Sequence, residues 1–239
     1  MATKITYIRW SMTVIEMNGR IIVTDPVFRL LGFPIGPRQY TLDQMPTPDL
    51  VLISHRHFDH WDPWTMRRLD RDTPLIVRPR RIAADAHRWG YSQVQELAPW
   101  QKTQVMGFSI TAVPAVHPGG EVGFVIQGDR TLYFGGDTSF DREIMADIGA
   151  RFDLDAALLP VGGLRYLIWA GQIDPHQAVK AVQLLRPRIV IGIHWGGVPH
   201  LPPLIDMPGT PQKVAQLLAQ AGSDVQVQGM TPLETVVLP

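Results

Sequence analysis

His55, His57, Asp59 and His60 crowd into the run Ser54-His55-Arg56-His57-Phe58-Asp59-His60-Trp61-Asp62. The chain has no cysteine, so any metal it binds is held by imidazole nitrogen and carboxylate oxygen. His55 and His57, two apart in extended backbone, project in a similar direction. Asp59 and His60, where the chain turns into a following helix, point to a neighbouring position, so one loop can feed two adjacent metal ions. The alternative, a metal-free surface cluster of histidines, leaves such a run at a strand end with little to do.

Three further donors stand at strand exits. His117 follows Val113-Pro114-Ala115-Val116, Asp137 follows Leu132-Tyr133-Phe134-Gly135-Gly136, and His194 follows Ile189-Val190-Ile191-Gly192-Ile193. Each lies beside glycines that let a backbone or a ligand come close. Alone, each reads as a core-edge residue; the repeated context places all three with the first run.

The elements that must position these residues follow from pattern. Ile5 to Trp10, Met12 to Met17 and Arg20 to Thr24 read as strands, with a hairpin turn at Asn18-Gly19. Asp49 to Ser54 is a buried strand ending at the histidine run. Pro63 opens a helix through Asp70, with Asp62 suited to cap it. Next come a strand at 75–77, a helix from Arg80 to Trp89, and strands at 103–106, 108–113, 122–127 and 130–134. Helices at 141–149, 175–185 and 210–221 then alternate with strands at 156–159 and 189–193, and two terminal strands follow. Strands in both halves with helices attached suggest two sheets packed face to face with helices outside.

Composition narrows the class. A hydrophobic fraction of 45% over 239 residues supplies a core and excludes disorder. With 22 basic and 22 acidic residues, the chain lacks the basic excess of a nucleic-acid binder. No run approaches the ~20 apolar residues of a membrane span, and Met1 to Trp10 lacks the pattern of a signal peptide. A cytoplasmic protein of one domain, residues 1–239, is expected, with pseudo-equivalent halves of roughly 1–135 and 136–239.

The order His-x-His-x-Asp-His, then His, then Gly-Asp-Thr, then a strand ending in His resembles the metallo-β-lactamase superfamily over nearly the whole chain. The resemblance implies an α/β fold, the four-layer αββα sandwich. It implies two divalent metals, zinc first, with manganese or iron as alternatives. His55, His57 and His117 would bind one metal, Asp59, His60 and His194 the other, and Asp137 would bridge them. Asp25, in Thr24-Asp25-Pro26, would orient a metal-binding histidine by a hydrogen bond; a turn-forming Asp-Pro is the plainer reading. The implied activity is hydrolysis by a metal-bridging hydroxide, with Asp59, Asp137 and His194 as the catalytic residues.

Gly135-Gly136-Asp137-Thr138, Leu159-Pro160-Val161-Gly162, Asp174-Pro175 with Ala178-Val179, and His194-Trp195-Gly196 are similar to a narrower branch. It includes N-acyl-phosphatidylethanolamine phospholipase D and the ascorbate-6-phosphate lactonases. Gln172 and His176 stand where phospholipase-like members carry His and Glu, and Gly197 where they carry Thr. The expected substrate is a phosphodiester, or a phosphorylated or apolar ester or lactone. A nuclease of the same fold is the rival, though no basic arm or clamp insertion is visible. An exported β-lactamase, a diiron oxygen-reducing relative and a non-hydrolytic metal-binding member are further rivals.

Three apolar stretches, Phe28–Ile35, Leu164–Trp169 and Leu201–Ile205, could line a groove for a small-molecule or lipid-like anionic substrate, make homo-oligomer contacts, or pack on one another. His200 could touch substrate, but a loop histidine with no role is the plainer reading; His176 reads as solvated, and His87, within an exposed helix, has no discernible chemistry. Between Met66 and Arg88 lie seven arginines against three aspartates, a solvated helical surface or an attractor of anions or membranes.

Overall fold

Asn18 and Gly19 both take positive φ, 54° and 72°, the geometry of a tight hairpin turn whose twist matches its strands. The turn sets the register Met17 to Arg20 between strands Met12–Met17 and Arg20–Thr24. The structure is a computed structural model that describes residues 2–30, 33–34, 40–79, 81–166, 169–196 and 204–239.

Among the described residues the strands build two seven-stranded sheets and two small ones. The first large sheet runs Thr235–Val237, Lys4–Arg9, Met12–Met17, Arg20–Thr24, Leu50–Ile53, Leu75–Val77, Val94–Glu96. The second runs Gln226–Gln228, Ile189–Ile193, Ala156–Pro160, Thr131–Phe134, Glu121–Gln127, Phe108–Ala115, Lys102–Val105. The helices are α1 (Pro63–Met66), α2 (Ile82–Arg88), α3 (Arg142–Arg151), α4 (Pro175–Leu185) and α5 (Pro211–Gln220).

Side chains alternate across a strand, and here the alternation sorts residues into layers. Leu50 and Leu52 face inward to Phe124, Phe134, Leu158 and Ile191 of the second sheet. Val51 and Ile53 face outward, onto Met66 of α1 and Ile82 and Ala86 of α2. On the other flank Tyr133, Ala157, Leu159 and Val190 meet α3, α4 and α5 through Met145, Ile148, Val182, Val214 and Leu218. Each fully buried Leu, Ile or Phe adds about 1.5–3 kcal/mol relative to an exposed one. The layering is the expected αββα sandwich.

Most elements fall where pattern places them, Asp62 caps its helix as expected, and α3, α4 and α5 also carry side-chain caps whereas α2 opens without one. Asp62, Asp141 and Asp174 each accept two backbone N–H bonds at the first turns of α1, α3 and α4, and Thr210 accepts one from Lys213 at α5. The first helix is shorter than predicted, ending at Met66 rather than Asp70. Arg71 donates to the carbonyls of Met66 and Leu69, at 2.6 and 2.9 Å, and to that of Arg67. Tyr91 Oη also donates to Met66 O at 2.6 Å, so side chains occupy the acceptors that further turns would need. The predicted start of α2, Arg80, lies outside the described residues; the helix itself opens at Ile82. Strand Val94–Glu96 carries no strong pattern of its own and joins the sheet edge in parallel with Leu75–Val77.

Two of the apolar stretches are joined by backbone pairing, Arg165–Tyr166 with Ile205–Asp206, and the first also folds back on itself through Trp169–Ala170. Residues 31–32, 35, 167–168 and 201–203 of the three stretches, together with Gly197 and His200, lie outside the described residues. No helix among the described residues is long and apolar enough to cross a membrane.

Candidate metal centre

Strand direction brings the donors to one edge. Arg20–Thr24 and Leu50–Ile53 are parallel, as are Thr131–Phe134, Ala156–Pro160 and Ile189–Ile193. Lys4–Arg9 is two antiparallel steps from Arg20–Thr24, and Phe108–Ala115 two from Thr131–Phe134, so these also end on that side. Asp25, His55, His117, Asp137 and His194 follow these strand ends, the usual place for ligands in open α/β sheets.

The donors form two sets. Ligand atoms of His55, His57 and His117 lie within 4.8 Å of one another, and those of Asp59, His60, Asp137 and His194 do likewise. In the first set, His117 Nδ1 lies 3.3 Å from Gly171 O and His117 Nε2 lies 3.0 Å from His57 Nδ1. A carbonyl only accepts, so Nδ1 of His117 carries the proton and Nε2 keeps its lone pair. His55 Nδ1 faces Ser54 Oγ at 3.0 Å and Glu121 Oε1 at 3.3 Å. Ser54 Oγ gives its own proton to Asp25 Oδ2 at 2.7 Å, which again leaves Nε2 of His55 as the free donor. That atom is buried with no hydrogen-bond partner.

In the second set, His60 Nδ1 donates to Asp25 Oδ2 at 2.7 Å, while His60 Nε2 lies 3.2 Å from Asp137 Oδ2 and 3.7 Å from Asp59 Oδ2. His194 Nε2 lies 3.2 Å from Asp137 Oδ1 and 3.4 Å from Asp59 Oδ2. Asp25 thus touches a histidine of this set, as the resemblance implies, and its Oδ1 also accepts from Ser54 N at 2.8 Å.

Electrostatics fit a cation. Burial alone would raise the Asp59 carboxyl, but His60 and His194 outweigh it and hold it at about 2. For Asp137, burial is likewise outweighed by His194 and His60, and its carboxyl stays well below the usual range. Burial would strip the proton from His60; the charges of Asp137, Asp59 and Asp25 instead raise it well above an ordinary imidazole. His55 is pushed down to about 3 by burial and then by the charge of His60, which outweigh the opposing pull of Asp137 and Asp25. The carboxylates therefore hold positive charge on an imidazole where a divalent ion would sit, and metal binding would release that proton. The nitrogen and oxygen donors, the lone pair of His55 Nε2 and the carboxylate charge all suit a divalent metal.

Several residues at the site carry no motif. Glu121 is buried, accepts from Asp137 N at 2.7 Å and approaches His55, so it links the two sets. Burial and then the Asp137 charge push its carboxyl up to about 8. Its only sequence signal is an acid opening an otherwise apolar strand just after His117. The turn Trp10-Ser11 also belongs here: Trp10 O accepts from His194 N at 2.8 Å, its ring stacks on that of His194, and Ser11 Oγ donates to Asp137 Oδ1 at 3.4 Å. Gln172 Nε2 donates to Asp137 Oδ2 at 2.8 Å and lies 2.9 Å from His194 Nδ1. Trp10, Asp25 and His194 all take positive φ, at 47°, 40° and 48°, and such backbone strain gathers at sites that the surrounding fold over-determines. His176 is exposed on α4, and His87 Nδ1 lies 3.1 Å from Tyr91 O, both away from these sets.

Comparison with known proteins gives the family. The profile described as "Beta-lactamase superfamily domain" matches residues 20–195. The mitochondrial N-acyl-phosphatidylethanolamine-hydrolyzing phospholipase D of Saccharomyces cerevisiae is 29% identical over 219 residues, 80% of this chain and 47% of that protein. The chain therefore spans about half the length of that relative. A UPF0173 metal-dependent hydrolase of Nanoarchaeum equitans is 31% identical over 208 residues, 82% of this chain and 85% of the relative. Among solved structures, a metallo hydrolase of Ignicoccus hospitalis matches with TM-score 0.80 at 28% identity, over 100% of this chain and 99% of that one. The chain belongs to the metallo-β-lactamase superfamily, as a metal-dependent hydrolase.

Proposed function

We propose that the chain is a binuclear hydrolase that cleaves a phosphodiester, or a phosphorylated or apolar ester or lactone. His55, His57 and His117 hold one metal, Asp59, His60 and His194 the other, and Asp137 serves both. The observation that carries this reading is the pairing of two donor sets, each within 4.8 Å, at one edge of the sandwich. Divalent ions bound there, zinc first, supply Lewis acidity that acidifies water and polarises the bond to be cleaved.

The protein residues do the rest. Asp59, the more exposed acid of the mixed set, would accept a hydrogen bond from an attacking water while ligating the metal. Asp137 is fixed by Gln172 Nε2, by Ser11 Oγ and, through its own N–H, by Glu121. Asp25 keeps the proton of His60 on Nδ1, so that Nε2 faces the metal. The phosphodiester comes first among substrates because the yeast relative is named for phospholipid hydrolysis.

The test is metal content by mass spectrometry beside turnover of bis-p-nitrophenyl phosphate, for wild type and Asp137→Ala. About two metals per chain with turnover, both lost in the variant, is the expected result. Bound metal without phosphodiester turnover would move the substrate to esters or lactones. A well-folded protein that takes up no metal after reconstitution would overturn the reading.

A further inference from the structure

Beside the metal-binding loop lies a second feature, a groove of about 410 Å³ whose walls include Arg29, Phe58, Trp61, Trp64, Arg67 and Arg68. Its volume falls within the range of small-molecule sites. Two guanidinium groups share one ring: Arg29 Cζ lies 4.0 Å and Arg68 Cζ 4.1 Å from the Trp64 ring centroid. Arg67 Cζ lies 4.9 Å from the Trp89 ring, which stacks on Trp61 at 5.2 Å. Arginine and tryptophan thus alternate along the wall.

None of Arg29, Arg67 and Arg68 forms an ion pair among the described residues, whereas Arg56 and Arg88 nearby are both bound to Asp85. The one acid on the groove, Asp62, is spent elsewhere. It accepts from the backbone of Arg29, Trp64 and Thr65 at 3.0, 3.0 and 3.2 Å, and from Thr65 Oγ1. Like charges held against one ring repel; Arg68 donates to Trp64 O at 3.1 Å, but no carboxylate among the described residues pairs with either guanidinium. A second observation points the same way. Trp61 is buried, yet its Nε1–H has no hydrogen-bond partner, and a buried unpaired donor is an energetic cost that a ligand oxygen would remove. Phe58, exposed at 57%, adds an apolar face between His57 and Asp59.

We propose that this groove binds a single amphipathic anion, an organic phosphate with a short apolar chain. Guanidinium forks match phosphoryl oxygens, the Trp61 N–H supplies a further donor, and Phe58 and Trp64 cover the chain. The groove is lined by none of the seven metal-donor residues, although Phe58 and Trp61 flank Asp59 and His60 in the same run, and the proposal does not depend on hydrolytic activity.

The probe is octyl phosphate below its micellar concentration, added to the metal-loaded protein. Indole N–H resonances of the seven tryptophans are followed by NMR, with Trp61 and Trp64 assigned through single Trp→Phe variants. Octyl phosphate is expected to shift Trp61 and Trp64 saturably, with inorganic phosphate and octanol each weaker. The Arg29→Met/Arg68→Met double variant should weaken the apparent affinity roughly tenfold or more, with metal content per chain unchanged. In Trp61→Phe, which keeps the ring and loses the donor, the Trp64 shift should need severalfold more ligand. Equal affinity in the double variant, or no shift at either tryptophan at millimolar probe, would overturn the proposal. So would a response only to phosphatidylglycerol vesicles, which would make the groove a membrane-contact surface instead.

Discussion

Replacing Asp25 by Asn tests whether the buried carboxylate beside His60 governs metal binding. Asp25 is fully buried and takes φ +40°, a conformation Asn tolerates well, so the backbone is not the variable. Its oxygens accept three bonds of 2.7–2.8 Å, from Ser54 N, Ser54 Oγ and His60 Nδ1. All three partners donate, and an Asn amide can accept on only one side. Either amide orientation then sets N–H against N–H or O–H, or drives His60 to put its proton on Nε2, where a metal cannot bind. Removing such a partner of a metal-binding histidine lowers affinity roughly 10–100-fold, or about 1.4–2.7 kcal/mol. Competition against a chelator of known zinc affinity, with occupancy read by mass spectrometry, would measure this in wild type and Asp25→Asn. A zinc affinity within about twofold of wild type would refute the argument that the Asp25–His60 bond selects the ligating nitrogen.

Metal-stripped protein should lose stability as pH rises from 6.5 to 8. Glu121, held up to about 8 by burial, and His60, raised by its three carboxylates, both keep protons in the folded state that the unfolded chain has released. The slope approaches about 1.4 kcal/mol per pH unit for each extra proton bound. Thermal melts across that window, flatter in Glu121→Gln, would check it; a rising Tm would contradict it. In Gly136→Ala, an added Cβ would overlap Glu121 Oε1 at a residue whose φ is +59°. A loss of about 3 kcal/mol, hence a Tm lower by roughly 6–12 °C, should appear together with weaker metal uptake. Arg9 stacks on Trp10 at 3.7 Å and feels the Asp59 charge. Steady-state kinetics of Arg9→Met should show a KM raised about tenfold for a charged phosphodiester and little changed for a neutral ester of the same leaving group; an equal change in both would count against an electrostatic role.

The fold and the donor list were largely legible in the chain itself. Alternation at Leu50–Ile53, the Asn18-Gly19 turn and the acidic caps at Asp62, Asp141 and Asp174 are local signals, acting within a few residues through sterics and hydrogen bonding. The His55–His60 run is likewise compact enough to be seen in one dimension. What tertiary structure decided was contact between residues far apart in sequence. Glu121 meets Asp137 and His55, Trp10 and Ser11 close over His194 and Asp137, and Gln172 reaches both. The length of α1 was set in the same way, by Arg71 and Tyr91. Arg29 and Arg68 meet on Trp64 where the chain beyond strand Arg20–Thr24 passes the first turn of α1, Phe28 N donating to Thr65 Oγ1. A side chain's hydrogen-bonding needs are written in its chemistry, but its partner is chosen by which strand ends the two sheets bring to the same edge.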